Sequence, residues 1–151
     1  MKRADKAFVV GIKGVIIRNR KILLLKKLDQ LKHYYWDVPG GKVKHGESYQ
    51  ETLQREVEEE IPTLKFIEAQ ELVGAYFLDR DLKNGFGLLR LFYKVKVAIR
   101  DVTVSGEHTE FHWFSKEELE RIKTTDNTSV FSGRRAYIEK LVQKILLKLL
   151  K

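Results

Sequence analysis

The chain has 151 residues, a formal charge of +8, a hydrophobic share of 43% and no cysteine. That length suits one domain, residues 1–151, with a core of useful size, and that hydrophobic share excludes a disordered polymer. Without cysteine there is no disulfide framework and no thiolate zinc site, so a metal would have to be held by oxygen or imidazole, which favours hard cations.

The start, Met1-Lys2-Arg3, is basic, but Lys13 interrupts the apolar run that follows and no small-residue cleavage pattern appears. We expect no signal peptide and a cytoplasmic location. No apolar stretch reaches the roughly 18 residues of a membrane span. Residues 8–17 form a β-branched apolar run, Asn19 and Arg20 offer a turn, and residues 22–25 form a second run, which reads as a hairpin or two neighbouring strands. Trp36-Asp37-Val38-Pro39-Gly40-Gly41 is turn chemistry leading into a helix. From Ser48 to about Glu60, Tyr49, Leu53, Val57 and Ile61 recur every four residues as one apolar stripe, and Pro62 ends it.

Residues 71–78 read as a strand, Asn84-Gly85 as a turn, and residues 89–99 as a long strand with Leu91, Tyr93, Val95, Val97 and Ile99 on one face and Arg90, Lys94 and Lys96 on the other. Ser115-Lys116-Glu117-Glu118 matches a capping box that opens a short helix through about Ile122. The last element reads as an amphipathic helix from about Gly133 to Leu150, docked through Ile138, Leu141, Val142, Ile145, Leu146 and Leu149 on the sheet rather than on a membrane. Several strands, a central helix and a terminal helix predict an α/β sandwich with a mixed sheet.

Charge is distributed unevenly. Residues 47–60 hold six acids (Glu47, Glu51, Glu56, Glu58, Glu59, Glu60) against one base, Arg55, while the whole chain is strongly basic. Glu56, Glu59 and Glu60 stand at i, i+3 and i+4, on one helix face, where like charges repel. A divalent cation such as Mg²⁺ or Mn²⁺ would neutralise that patch through oxygen ligands and accept phosphate oxygens from a substrate.

Gly41, five residues, Glu47, seven residues, Arg55-Glu56-Val57, one residue and Glu59-Glu60 resembles the signature box of the Nudix hydrolases, and residues 36–41 resemble the family's lead-in. The resemblance implies an α/β/α sandwich around a central mixed β-sheet. It implies metal held by Glu56, Glu59 and Glu60, with the Gly41 carbonyl often added. A fourth carboxylate is expected from the segment resembling Glu107-His108-Thr109-Glu110-Phe111-His112-Trp113, with Glu107 preferred and Glu110 the alternative. His108 and His112 read as surface or packing residues, since hard cations prefer oxygen. Arg55, Glu56 and Glu59 are the expected catalytic residues, Arg55 orienting Glu59 or Glu51, and which glutamate is the general base stays open. The box departs from the family at its end, where Pro62 replaces the usual glycine. Proline cannot take positive φ, so the helix must stop by another route.

The reaction so implied is metal-dependent hydrolysis of a phosphoanhydride bond in a nucleoside diphosphate linked to a group X. The short chain leans towards a nucleoside triphosphate pyrophosphohydrolase. Residues 78–81 hold neither the proline of many ADP-ribose enzymes nor the tyrosine of many dinucleoside polyphosphate enzymes. Both substrates remain alternatives, with RNA 5′ ends, suggested by the basic charge, and a non-catalytic nucleotide-binding module. Tyr35, Trp36 and Phe86 are candidates to stack on a base, and Arg90 to hold phosphate. The expected partner is a small-molecule nucleotide, with RNA second and no membrane; pairing into a homodimer stays open.

Overall fold

Alternating apolar residues become strands here wherever a neighbour can pair. The computed structural model describes residues 3–29, 31–78, 82, 84–99, 101–105, 110–125 and 136–151. Among these, β1 (Phe8–Val15), β2 (Ile17–Arg18), β3 (Lys21–Leu28), β4 (Tyr34–Asp37) and β5 (Gly40–Lys42) precede α1 (Tyr49–Glu60). Then come β6 (Leu64–Leu78), β7 (Gly87–Ile99), β8 (Glu110–Phe114), α2 (Lys116–Arg121), β9 (Thr124–Thr125), β10 (Tyr137–Glu139) and α3 (Lys140–Leu149).

The β layer is built as two sheets. One has the order β5-β1-β7-β6, with β1 and β7 parallel and the other pairs antiparallel. The second has the order β2-β3-β4-β10-β9, with β8 antiparallel to β3 and with β10 parallel to both β4 and β9. Both are mixed, as the order of strands and helices suggested, although one central sheet was expected and two are found. Side chains of β3 show how the layers close. Leu23 and Leu25 join the cluster of Leu53, Val57 and Ile61, under α1, whereas Ile22 and Leu24 join Leu119, Val142 and Leu146 of α2 and α3. Period two thus puts α1 on one face of β3 and the other two helices on the opposite face, which is an α/β/α sandwich.

Local signals set the ends of α1. Ser48 caps the Glu51 backbone N–H while the Glu51 carboxylate accepts the Ser48 N–H, a reciprocal box. At the other end Ile61 leaves the helix at φ −132°, as a residue before proline must. The Ile61 N–H still reaches the Val57 carbonyl at 2.9 Å, and Ser105 N–H takes the Glu60 carbonyl at 3.0 Å. The helix therefore stops on Pro62 without a left-handed residue. In the hairpin turn, Asn19 and Arg20 do adopt positive φ, 51° and 59°.

Three expectations about element bounds are corrected. Residues 36–41 are not one turn: Trp36 and Asp37 end β4, and Gly40 to Lys42 pair with β1, because Gly40 (φ +144°) lies so close to the Ile12 carbonyl that a Cβ would come within 2.2 Å of it. β6 starts at Leu64 rather than at residue 71; register shifts between Phe66 and Gly74 break its alternation and conceal the strand. The last helix starts at Lys140, since Tyr137 and Ile138 pair with β4 instead. Residues 133–135 lie outside the described residues. Among the described residues no helix is long and apolar enough to cross a membrane.

Leu53 is completely buried between α1 and the sheet. Leu53→Ala is expected to cost about 2–5 kcal/mol, the usual range for a buried leucine. Urea unfolding checks this: the midpoint should fall while the slope stays the same.

Candidate active site

The loop between β4 and β5 lies against the C-terminal half of α1, and this contact assembles the site. Gly40 N–H donates to Glu60 Oε1 at 3.0 Å. Gly41 faces Glu56: a Cβ at Gly41 would lie 2.3 Å from Glu56 Oε1, so only glycine leaves room for that carboxylate. Glu56 and Glu60 stand one helical turn apart, close enough for each carboxylate to oppose the charge of the other. Two neighbouring carboxylates repel each other unless a proton or a cation offsets their charge. Burial pushes the Glu56 carboxyl above its ordinary range and Glu60 adds to the push, while Arg55 pulls the other way.

Arg55 is the hub on the solvent side. Its Nε donates to Glu47 Oε2 at 2.6 Å and its Nη2 to Glu47 Oε1 at 3.0 Å, a two-pronged grip. Its Nη1 donates to Glu56 Oε1 at 2.7 Å and stands 3.7 Å from Glu59 Oε2. Hydrogen bonds from Arg55 and from the Lys44 N–H hold the Glu47 carboxyl down at about 2. The arginine thus grips Glu47 rather than Glu51, whose carboxylate is used in the helix cap.

A second set of charges lies behind the loop. Asp37 Oδ2 pairs with Lys13 Nζ at 3.0 Å, and Arg90 Nη1 stands 3.9 Å away; the Asp37 and Lys13 side chains are nearly solvent-free. Asp37 Oδ1 accepts the Val38 N–H at 2.8 Å, which ties the charge to the loop backbone. Arg90 Nη1 also donates to the Tyr76 hydroxyl (3.1 Å) and Glu139 (3.4 Å), and Tyr76 donates to Glu139 at 2.9 Å. Lys27 Nζ lies 3.4 Å from Glu60 Oε2 and links this set to the helix carboxylates. Burial works against the charge on Asp37, but Lys13, Lys27 and Arg90 outweigh it and hold the carboxyl down at about 2. Burial also draws the Lys13 ammonium down to about 8, because Lys27 and Arg90 offset part of the pull from Asp37.

The structure brings together Arg55, Glu56, Glu60 and Gly41 from the residues expected on sequence grounds. It does not converge Glu59, whose side chain is 62% exposed. Among the described residues no group of three or more carboxylates and histidines is arranged to hold a metal ion. Glu107 lies outside the described residues. Its alternative, Glu110 on β8, pairs with Lys26 of β3. His112 bonds Glu118 at 2.6 Å, which makes it a surface residue. The donor set suits a hard cation all the same: two carboxylates pressed together beside a glycine backbone, all oxygen.

Of the stacking candidates, Trp36 is a core piece, edge-on to Phe114 at 4.9 Å. Phe86 sits at the surface just before Gly87, which pairs with Phe8, four residues along β1 from the Ile12 that pairs with Gly41. Trp36 alternates with Asp37 along β4 and so faces the opposite side of the sheet, and Phe86 lies outside the strands, at the Phe8 end of β1. Tyr35 stacks on Tyr137 at 5.7 Å, and Arg90 belongs to the charge set behind the loop. Sequence reasoning missed Lys27, Asp37, Tyr76 and Glu139 as site neighbours. Lys13 had one signal, a lysine in the middle of an apolar strand.

Gly41→Ala is expected to leave the fold intact, since the clashing atoms belong to a flexible side-chain end, but to drive the Glu56 carboxylate out of its place. Turnover with Mg²⁺ should fall about a hundredfold or more while the melting temperature barely changes. Asp37 sets an acid limb. Its carboxyl is held below the ordinary value, so its stabilisation is complete above about 4 and is lost as pH falls towards 2. Across that window the wild type should lose about 2 kcal/mol that Asp37→Asn, already lacking it, does not lose. Urea midpoints of the two proteins across pH 2–5 test this as a narrowing gap.

The NUDIX domain family model matches residues 9–132. Over 117 residues the chain is 34% identical to an ADP-ribose pyrophosphatase of Methanocaldococcus jannaschii, a match that covers 75% of this chain and 65% of the relative. Among solved structures, the MutT protein of Methanosarcina mazei Go1 superposes with a TM-score of 0.70 at 20% identity, covering 97% of this chain and 95% of that one. A NUDIX hydrolase from Nitrosomonas europaea gives a TM-score of 0.61 at 26% identity, covering 75% and 76%. Carboxylate helix, glycine loop and family match coincide on the same residues, and the chain belongs to the Nudix family.

Proposed function

We propose that this protein hydrolyses a phosphoanhydride bond in a nucleoside diphosphate linked to a group X, using Mg²⁺ or Mn²⁺. The observation that carries the reading is the pairing of Glu56 with Glu60 against Gly41, under the grip of Arg55. A divalent cation held by Glu56 and Glu60, with the Gly41 carbonyl, would polarise phosphate oxygens and make water a better nucleophile. Arg55 holds Glu56 in place and draws part of its rigidity from Glu47. Gly40 fixes one oxygen of Glu60. Glu59, exposed and only loosely held by Arg55, is the carboxylate we assign to take the proton of an attacking water.

Two substrate readings stand together. Residues 78–81, which lack the proline of many ADP-ribose enzymes, favour a nucleoside triphosphate, cleaved to the monophosphate and pyrophosphate. The name of the Methanocaldococcus relative favours ADP-ribose. In either case Arg90 and Tyr35, on the charged side of the loop, are the side chains we assign to the part of the substrate beyond the metal.

A panel of nucleoside triphosphates, ADP-ribose, dinucleoside polyphosphates and a 5′-triphosphorylated oligonucleotide tests the proposal. Expected is turnover that needs Mg²⁺ or Mn²⁺ and drops about a thousandfold in Glu59→Gln, in keeping with loss of a general base. Metal-independent turnover, or none on any substrate by folded protein, refutes it. Preference for the oligonucleotide would move the activity to RNA 5′ ends.

A further inference from the structure

Lys27 is the last lysine on β3, and period two puts it on the same face as Leu23 and Leu25, the face covered by α1. Its ammonium therefore ends among charges instead of in solvent. Only 13% of the side chain is exposed, and Glu60, 3.4 Å away, is 9% exposed. The other charged and titratable groups facing it are Asp37, Tyr35 and Lys13.

Glu60 is a buried carboxylate with a second carboxylate, Glu56, beside it. Such a group needs a positive neighbour, because burying unbalanced charge is costly. Gly40 N–H supplies a dipole on Oε1 and Lys27 supplies the charge on Oε2. The two kinds of contact in this site differ in quality. Arg55 grips Glu47 and Glu56 at 2.6–2.7 Å, the length of a strong charge-assisted bond, whereas Lys27 stands back at 3.4 Å. Arg55 is built to stay. A lysine at 3.4 Å on a flexible four-carbon stem is a counter-ion that can leave.

We propose that Lys27 is a resident stand-in for the metal: it neutralises Glu60 in the metal-free protein and gives up that place, swinging towards the mouth of the site, when a divalent cation binds. This rests on the metal-dependent reading above. Lys27 and the cation compete for one carboxylate, so the lysine keeps the empty site folded and weakens metal binding at the same time.

Two measurements on the whole chain test this. In wild-type protein, acylation of lysines by an N-hydroxysuccinimide ester, mapped by mass spectrometry, should find Lys27 protected without metal. It should become roughly threefold or more as reactive with Mg²⁺ than with NaCl at equal ionic strength. Calorimetry with Mn²⁺ should give Lys27→Met an affinity about tenfold or more above wild type. Its melting temperature should fall below wild type without metal, and the gap should close at saturating Mn²⁺. If Mn²⁺ binds wild type but Lys27 stays protected, or if the variant's melting deficit is the same with and without metal, Lys27 is a fixed structural partner and the inference is wrong. No Mn²⁺ binding by either protein overturns the inference together with the metal-dependent reading, so the two failures are distinguishable.

Discussion

The hydrogen bond from Gly40 N–H to Glu60, with the close approach of Gly41 to Glu56, is the contact on which the site depends. It joins a strand end from one side of the molecule to a helix from the other at a point where no side chain fits on the loop. Everything needed to make that approach lies nearby. Gly40 takes a φ closed to other residues, Gly14 N–H holds the Pro39 carbonyl at 2.8 Å, and β5 pairs with β1. The helix side is fixed by Leu53, Val57 and Ile61 in the core. Two rigid elements thus press carboxylates together that would otherwise spread apart.

That compression has an electrostatic consequence. Burying charge is costly, because desolvation offsets much of the Coulomb gain, so Lys13, Asp37 and Glu60 can be buried only beside opposite charges. The arrangement is ordered. Arg55 serves the solvent side, Lys27 the inner side of Glu60, and Lys13 with Arg90 the Asp37 carboxylate that anchors the loop. Positive charge lies on three sides of the acidic helix end, which also limits the repulsion between its glutamates.

Much of this was legible in the sequence. The spacing of Gly41, Glu47, Arg55, Glu56, Glu59 and Glu60 marked both the helix and the family, and helical periodicity put Glu56 and Glu60 on one face. Even the departure at Pro62 was readable: the residue before proline must leave the helix, and Ile61 does. Other features were hidden for physical reasons. β6 is irregular in register, so its polar residues do not alternate with apolar ones. The strand before α3 carries Tyr137 and Ile138, residues equally at home in a helix, and only the neighbouring β4 decides between them. Trp36 looked like a stacking residue because it sits beside the glycines, but strand alternation turns it into the core. Which charges meet between two sheets is a property of tertiary register and has no local signature.

Lys27 illustrates the point. In the sequence it is one of two adjacent lysines, Lys26 and Lys27, after an apolar run. The strand separates them: Lys26 reaches Glu110 at the sheet surface, and Lys27 turns under α1. A single residue of register would exchange their roles, since neighbours on a strand face opposite sides. The pairing of β3 with β4 and β8, set by Leu25 opposite Asp37 and Phe111, therefore chooses which lysine neutralises Glu60. Sheet register and site electrostatics are in this way one constraint, and the apolar alternation of β3 that buries Leu23 and Leu25 also delivers the cation to the carboxylate.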